Sequence, residues 1–224
     1  MTRAEAIVRY RHLRAVSKQH LNAAMDFVAR PTMMEHARKL GVAFANTIIL
    51  DNMDDFAYIN DLALFTSKPG RSRAIDRYAR SIHPAPNGDE ALMLYAAQTA
   101  RFVVCSVEAR HKTAGLNVLD VAGQQTLRLM DEGLEATMPV GQLFASRLQP
   151  VDDFVMTTGA AVPLNSPTLQ HVLANLPYQK IKSASMVIED YRFAIAVFRA
   201  YLSGETAAKI EHRDSWEPQE TKAA

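Results

Sequence analysis

The sequence predicts an α+β protein, in which a mainly helical body carries an inserted small antiparallel β-barrel or meander. Apolar residues recur at helical spacing up to about Arg101. From there to Leu164 the apolar runs are short, rich in β-branched residues and interrupted by glycine, as is typical of strands. Helical spacing returns after Ser166. The change of period on both sides of this segment therefore predicts the insertion.

The N-terminal helical region is expected to cover residues 1–101. A first helix is predicted over residues 2–30, because its apolar side chains share one face and Pro31 is expected to end it. A second helix is predicted to begin with Thr32 as its N-cap, and Gly41 is either its C-cap or a packing residue within a longer helix. Three further helices are expected to begin at Asp51, Ser72 and Asp89.

The predicted barrel covers residues 102–164 and contains four to six short strands. Strands of this length close most easily into an SH3-like or OB-like barrel, because closure removes free strand edges. The segment Asp131–Leu134 is interpreted as a hairpin turn. The strand candidates are Phe102–Val107, Gly115–Val121, Gln125–Met130, Leu143–Leu148 and Phe154–Thr158.

The C-terminal helices are expected within residues 165–204. We expect them to pack on the N-terminal region. One begins at Ser166, a plausible N-cap, with Pro167 in its first turn. A longer helix is predicted over residues 183–202, and we expect it to pair with the first helix, because each has one apolar face that needs cover. Residues 205–224 are charged and polar, which predicts a flexible tail.

The composition is typical of a soluble globular protein that resides in the cytoplasm. The 224 residues are 48% hydrophobic and 22% charged, and the formal net charge of +1 gives no strong attraction to nucleic acid or to an anionic membrane. The single cysteine, Cys105, excludes an intramolecular disulfide and suits a reducing compartment. No apolar run is long enough to cross a bilayer, so no membrane association is expected.

The local charge pattern is the strongest functional lead. Residues 1–50 contain eight Lys and Arg against three Asp and Glu, and residues 68–83 contain five against one. Such basic stripes could contact the phosphates of nucleic acid, a phosphorylated ligand or an acidic partner. The alternative is that they are solvated helix faces balanced by nearby aspartates. The candidate anion-binding or nucleic-acid-binding residues are Arg11, Arg14, Lys18, Arg71, Arg73, Arg77 and Arg80.

The turn from Lys68 to Arg73 is the most specific part of this pattern. Exposed N–H groups at the start of a helix, with two arginines beside them, could hold a phosphate or carboxylate. The turn lacks the glycine and lysine spacing of a nucleotide-binding loop, so no such loop is assigned. An ordinary helix-entry turn is the alternative.

The sequence assigns no catalytic, cofactor-binding or metal-ligating residue. The seven histidines show no metal-site spacing, and Asp51 and Asp54 are interpreted as helix-capping residues. Cys105 lies inside a predicted strand, where a buried and inert thiol is expected. No cofactor is therefore implied, and an enzyme is the less favoured class.

Three hypotheses about function remain. The first is a non-enzymatic binding or adaptor module that mediates protein–protein interaction, by analogy with other small barrels. The second is a nucleic-acid-binding regulator that uses the basic helices. The third is an enzyme with a cleft between the barrel and the helices, which would require polar side chains converging on a deep pocket. The expected partner is another protein, with nucleic acid and a second copy of the chain as alternatives.

Overall fold

A computed structural model describes residues 1–52, 55–68, 70–176 and 190–204 of the chain. Within these ranges, eight helices surround a closed five-stranded barrel and a small hairpin, which confirms the α+β prediction. The helices are α1 (Arg3–Met25), α2 (Arg30–Leu40), α3 (Phe56–Phe65), α4 (Ala74–Ser81), α5 (Asp89–Gln98), α6 (Glu132–Thr137), α7 (Ser166–Ala174) and α8 (Tyr191–Leu202). The hairpin strands are β1 (Ala43–Phe44) and β2 (Thr47–Ile48), and the barrel strands are β3 (Arg101–Arg110), β4 (Leu116–Asp120), β5 (Gln125–Leu129), β6 (Leu143–Val151) and β7 (Phe154–Leu164).

The barrel has the strand order β3-β4-β5-β7-β6 and closes where β6 pairs with β3. All of these pairs are antiparallel except β5 with β7, which run parallel and meet at Leu129 and Val155. Helix α6 connects β5 to β6. The sequence left open whether the barrel is SH3-like or OB-like. The parallel contact between β5 and β7, the third and fifth barrel strands, and the helix between β5 and β6 give it the OB-like arrangement.

Alternate residues of the strands fill the barrel interior. On β3 these are Val103, Cys105 and Val107, all buried, and they pack in one cluster with residues from the other four strands. Gly115 precedes β4 with φ +87, and a Cβ there would lie 2.2 Å from the carbonyl oxygen of Leu129. Only glycine therefore allows the chain to approach β5 so closely at this point.

The helices cover the outside of the barrel in two groups. Outward-facing Phe102, Val104 and Val162 pack in one cluster with residues of α2, α3, α7 and α8, so the N-terminal helices do pack with the C-terminal pair. Helix α1 packs on α5 and on one end of the barrel, where Leu13 and Met156 share a second cluster. Among the described residues, the expected mutual pairing of the first and last long helices is therefore wrong, because the barrel end and α5 cover the apolar face of α1.

Several predicted helix boundaries are corrected. Helix α1 ends at Met25, and Pro31 lies in the first turn of α2, where its missing N–H is not needed. Gly41 is a C-cap with φ 81, and the residues after it form the β1–β2 hairpin. Helix α3 begins at Phe56, later than the predicted start at Asp51.

The predicted hairpin turn at Asp131–Leu134 is also wrong, because this segment begins a helix. The Asp131 carboxylate accepts a hydrogen bond from the backbone N–H of Leu134 at 3.0 Å, so it acts as the N-cap of α6. Leu134 and Met138 then join the interior cluster of the barrel. The apolar side of α6 therefore packs against the interior of the barrel.

The C-terminal part of the chain is described only in sections. The N-cap of α7 is Asn165, whose side-chain oxygen accepts from the N–H of Thr168 at 2.7 Å, and the predicted cap Ser166 is the first helical residue. Residues 183–189 of the predicted long helix and the tail at 205–224 lie outside the described residues. Within the described ranges, no helix has the length and hydropathy needed to cross a membrane.

Candidate anion-binding site

The basic residues predicted on α1 are largely engaged within the fold. Arg11 donates two hydrogen bonds to the Glu132 carboxylate, at 2.8 and 2.7 Å. Arg14 donates to the backbone carbonyl of Thr157 on β7. Lys18 is exposed and makes no ion pair with any described residue. The stripe therefore serves mainly to dock α1 on α6 and β7.

The basic residues around α4 have a similar internal role. Arg73 donates to both oxygens of Asp76, at 2.7 and 2.6 Å, and to the carbonyl of Gln98 at 2.7 Å. Arg77 donates to the backbone carbonyls of Ser72 and Phe27, which ties α4 to the end of α1. Arg80 donates to the Ser72 hydroxyl at 3.0 Å. Of the four predicted residues in this segment, only Arg71 has no side-chain partner in the described structure.

Two of the seven predicted residues, Arg71 and Arg73, line a cleft of about 740 Å³. It lies where the α3–α4 loop, the start of β3, the β4–β5 turn and the first turn of α8 meet. Its lining carries six cationic side chains and two carboxylates, so we name it the basic cleft. The cations are Lys68, Arg71, Arg73, Arg101, Arg147 and Arg192, and the acids are Asp120 and Asp190.

Four of these cations have a carboxylate partner. Lys68 lies 3.3 Å from Glu35, and Arg73, Arg147 and Arg192 pair with Asp76, Asp61 and Asp190 respectively. Arg71 and Arg101 are exposed, and neither contacts an acidic group among the described residues. Arg71 and Arg101 are therefore the two cations of the basic cleft that contact no carboxylate among the described residues.

Arg147 is the most firmly held cation of the basic cleft. Its Nε and Nη2 atoms donate to the Asp61 carboxylate at 2.9 to 3.1 Å, and its side chain is only 7% exposed. The guanidinium carbon lies 4.8 Å from the ring centre of Phe65 and 5.7 Å from that of Phe102. No described residue accepts a hydrogen bond from Nη1, so this nitrogen keeps its donor capacity.

The buried acid of the cleft lining, Asp120, is hydrogen-bonded to the backbone. Asp120 ends β4 and is buried, and its carboxylate accepts from the N–H groups of Ala122 and Gly123 at 3.1 and 3.0 Å. These hydrogen bonds form the β4–β5 turn and satisfy the carboxylate locally. Asp120 therefore supports the turn and does not pair with an arginine of the basic cleft.

The polar groups of the basic cleft are mainly cationic hydrogen-bond donors. Its described lining includes neither histidine nor cysteine, although Thr66 and Ser67 supply hydroxyls. Cys105 is fully buried inside the barrel, where burial, with a smaller effect of Asp120, raises the pKa of its thiol to about 12. It is therefore a buried thiol, as predicted, and does not reach the cleft. Among the described residues, no group of three or more acidic, histidine or cysteine side chains is arranged to hold a metal ion.

The exposed face of β4 and β5 is the surface that many OB-folds use for nucleic acids. Here its outward side chains are Asn117 and Leu119 opposite Arg128 and Thr126. Arg128 pairs with Asp153 at 2.8 Å. These four positions offer no aromatic ring on which a base could stack, and their one cation already has a partner.

Sequence reasoning did not find Arg101 and Arg147. Arg101 is the first residue of β3, and no local pattern distinguishes it from other arginines that precede a strand. Arg147 had a usable signal, because a charged residue within the apolar strand Leu143–Leu148 predicts a buried ion pair. Its partner Asp61 lies 86 positions earlier, so the sequence could not identify it.

His36 on α2, next to Glu35, gives a pH-dependent prediction. The side chain is buried, and burial, supported by the nearby Lys39 charge, lowers its pKa from 6.5 to about 4. In the unfolded chain, His36 is therefore protonated below about pH 6.5, whereas in the native protein it is protonated only below about pH 4. Stability contributed by neutral His36 is complete above pH 6.5 and falls by roughly 3 kcal/mol as the pH drops to 4.

This prediction is checked by urea unfolding between pH 4 and 7, with wild-type protein and the His36→Gln variant. We expect the variant to show a shallower loss of unfolding free energy over this range, since glutamine does not titrate. The two proteins have all other titratable groups in common, so the difference between their pH curves reports the contribution of His36. Parallel pH curves for the two proteins would contradict the prediction.

The fold and the basic cleft together define an α+β protein in which an OB-like barrel is enclosed by helices and a cationic cleft opens between them. The chain belongs to a family of unknown function, DUF7986, whose model matches residues 4–206. This range includes every element that lines the cleft. No curated protein and no solved structure matches the chain.

Proposed function

We propose that this protein is a non-enzymatic binding module that takes an anionic ligand in the basic cleft. The observation that carries the proposal is the pair Arg71 and Arg101, which line one cleft without an acidic partner among the described residues. Arg147, which lines the same cleft, is held by Asp61 and keeps one nitrogen without a described acceptor. An anion is the ligand that complements such a set of donors.

A compact ligand is favoured over a long nucleic acid. Most of the predicted basic residues on α1 and α4 already hold helices together, and the chain has a net charge of only +1. The outward face of β4 and β5 also lacks stacking rings at its paired positions. The nucleic-acid hypothesis, the protein–protein adaptor role, a homo-oligomer and a cytoplasmic location stay predictions.

The proposal is tested by titrating pyrophosphate, phosphate and citrate into the full-length protein in a calorimeter. A charge-assisted hydrogen bond contributes about 1.5–3 kcal/mol, so Arg71→Ala and Arg101→Ala should each weaken the best anion at least tenfold. Both side chains are exposed, so the thermal unfolding temperature should not change.

Lys18→Ala is the matched control. It removes an exposed cation that also lacks an acidic partner in the described structure, but Lys18 lies on α1 and does not line the basic cleft. Its effect on anion affinity should stay within twofold. Equal losses in the Lys18 and Arg101 variants would show general charge attraction, and that result would refute the proposed site.

A further inference from the structure

We infer that the group recognised in the basic cleft is the dianionic phosphomonoester of a small organic molecule, and not the phosphodiester of a nucleic-acid backbone. The inference rests on the proposed function, because it specifies the ligand of the same cleft. Three features of the structure support it: the two cations that contact no described carboxylate, the way Arg147 is held, and the size and lining of the cleft.

The charge balance favours a dianion. Four of the six cations that line the cleft already contact a carboxylate, which leaves Arg71 and Arg101 as the two that contact none among the described residues. A phosphomonoester carries about −1.5 to −2 charges at pH 7. A phosphodiester or a single carboxylate carries only one, so it would leave one guanidinium uncompensated within the cleft.

The geometry of the donors suits a phosphate group. Guanidinium groups present planar, forked donors that match phosphate oxygens in pairs. Arg147 is fixed before any ligand arrives, because Asp61 holds two of its nitrogens and the Phe65 and Phe102 rings lie beside it. A fixed donor loses little conformational entropy on binding, which strengthens the hydrogen bond it can make.

The cleft is larger than an inorganic anion needs. Its volume of about 740 Å³ lies within the range of pockets that hold small organic ligands. Apolar and aromatic residues line it beside the arginines, among them Ala122 and Tyr191. Tyr191 is half-buried, and the Lys39 ammonium lies 5.7 Å from its ring centre. These residues provide a surface for the organic part of the ligand.

The decisive experiment compares AMP with 3′,5′-cyclic AMP by calorimetry on the full-length protein. The two probes share a base and a sugar and differ in whether the phosphate is a monoester or a diester. We expect AMP to bind at least tenfold more tightly than the cyclic form, and more tightly than inorganic phosphate. Tyr191→Ala should weaken AMP at least threefold and leave inorganic phosphate unchanged, whereas Tyr191→Phe should retain AMP affinity.

The possible results separate this inference from the proposed function. If pyrophosphate binds in a manner that depends on Arg71 and Arg101, but AMP binds no better than cyclic AMP, the inference is overturned and the proposed function stands. Tighter binding of an unphosphorylated single-stranded oligonucleotide than of AMP would overturn the inference in favour of nucleic acid. If no anion binds, including AMP, both are refuted.

Discussion

Replacing Asp61 with alanine is expected to lower the free energy of unfolding by about 3–5 kcal/mol. The Arg147–Asp61 pair is nearly inaccessible to solvent, with side chains 7% and 2% exposed. The Thr158 hydroxyl also donates to Asp61 at 3.2 Å. Alanine would leave the Arg147 charge buried beside two aromatic rings without its counter-charge, which costs far more than losing a surface ion pair.

The measurement is urea unfolding followed by circular dichroism, with Asp76→Ala as the matched control. Asp76 also pairs with an arginine, Arg73, but both side chains are about a quarter exposed, so its loss should cost no more than about 1 kcal/mol. A double variant, Asp61→Leu with Arg147→Met, should be more stable than Asp61→Ala, because it removes both buried charges. If Asp61→Ala and Asp76→Ala lower the free energy of unfolding by the same amount, the claim that burial makes the Arg147–Asp61 pair more important for stability is contradicted.

The Asp61→Ala variant also links stability to the basic cleft. Asp61 does not line the cleft, but it holds two of the three guanidinium nitrogens of Arg147. Without it, Arg147 would be free to change its orientation. Asp61 is therefore a positioning residue for the proposed ligand contact.

Replacing Phe198 with alanine is expected to cost about 3–5 kcal/mol, as is usual for a large aromatic residue removed from a core. Phe198 is fully buried on α8. Its ring centre lies 4.8 Å from that of Tyr58 on α3 and 5.3 Å from that of Phe102 on β3. The side chain therefore joins the C-terminal helix to both the helical body and the barrel, and its removal leaves a cavity where the three meet.

The matched control is Phe44→Ala, which removes the same side chain from the β1–β2 hairpin, where Phe44 is 76% exposed. That change should alter the unfolding free energy by no more than about 0.5 kcal/mol. Both variants are compared by urea unfolding at pH 7. A small loss for Phe198→Ala would mean that α8 contributes little to the packing of this interface.

The sequence predicted the barrel well, because its signals are local. The short β-branched run from Phe102 to Val107 is continuously apolar at its start, because the barrel interior buries one face of β3 and the helices bury the other. The ends of the helices were harder to predict than the strands of the barrel. Pro31 was expected to end a helix and instead begins one, and Asp131 caps a helix where a turn was expected. Both residue types suit either role, so packing decides between them.

The candidate site was only partly predictable. Arg71 and Arg73 were found because they stand in a dense basic segment next to a turn. Arg101 and Arg147 come from two barrel strands that pair with one another, with Arg101 opposite Leu148 and Phe102 opposite Arg147. Their approach to the α3–α4 loop depends on how the helices pack on the barrel, and no local pattern encodes that.

The sequence by itself determined the fold class and the position of the barrel, because hydrophobic periodicity is a property of neighbouring residues. Only the tertiary structure decided which basic residues are available to a ligand. Arg11 donates to the carboxylate of Glu132, which lies 121 positions later in the sequence, whereas Arg71 contacts no carboxylate among the described residues. The same side chain can be a structural contact or a binding group, since its free energy depends on charges that folding brings within a few ångströms.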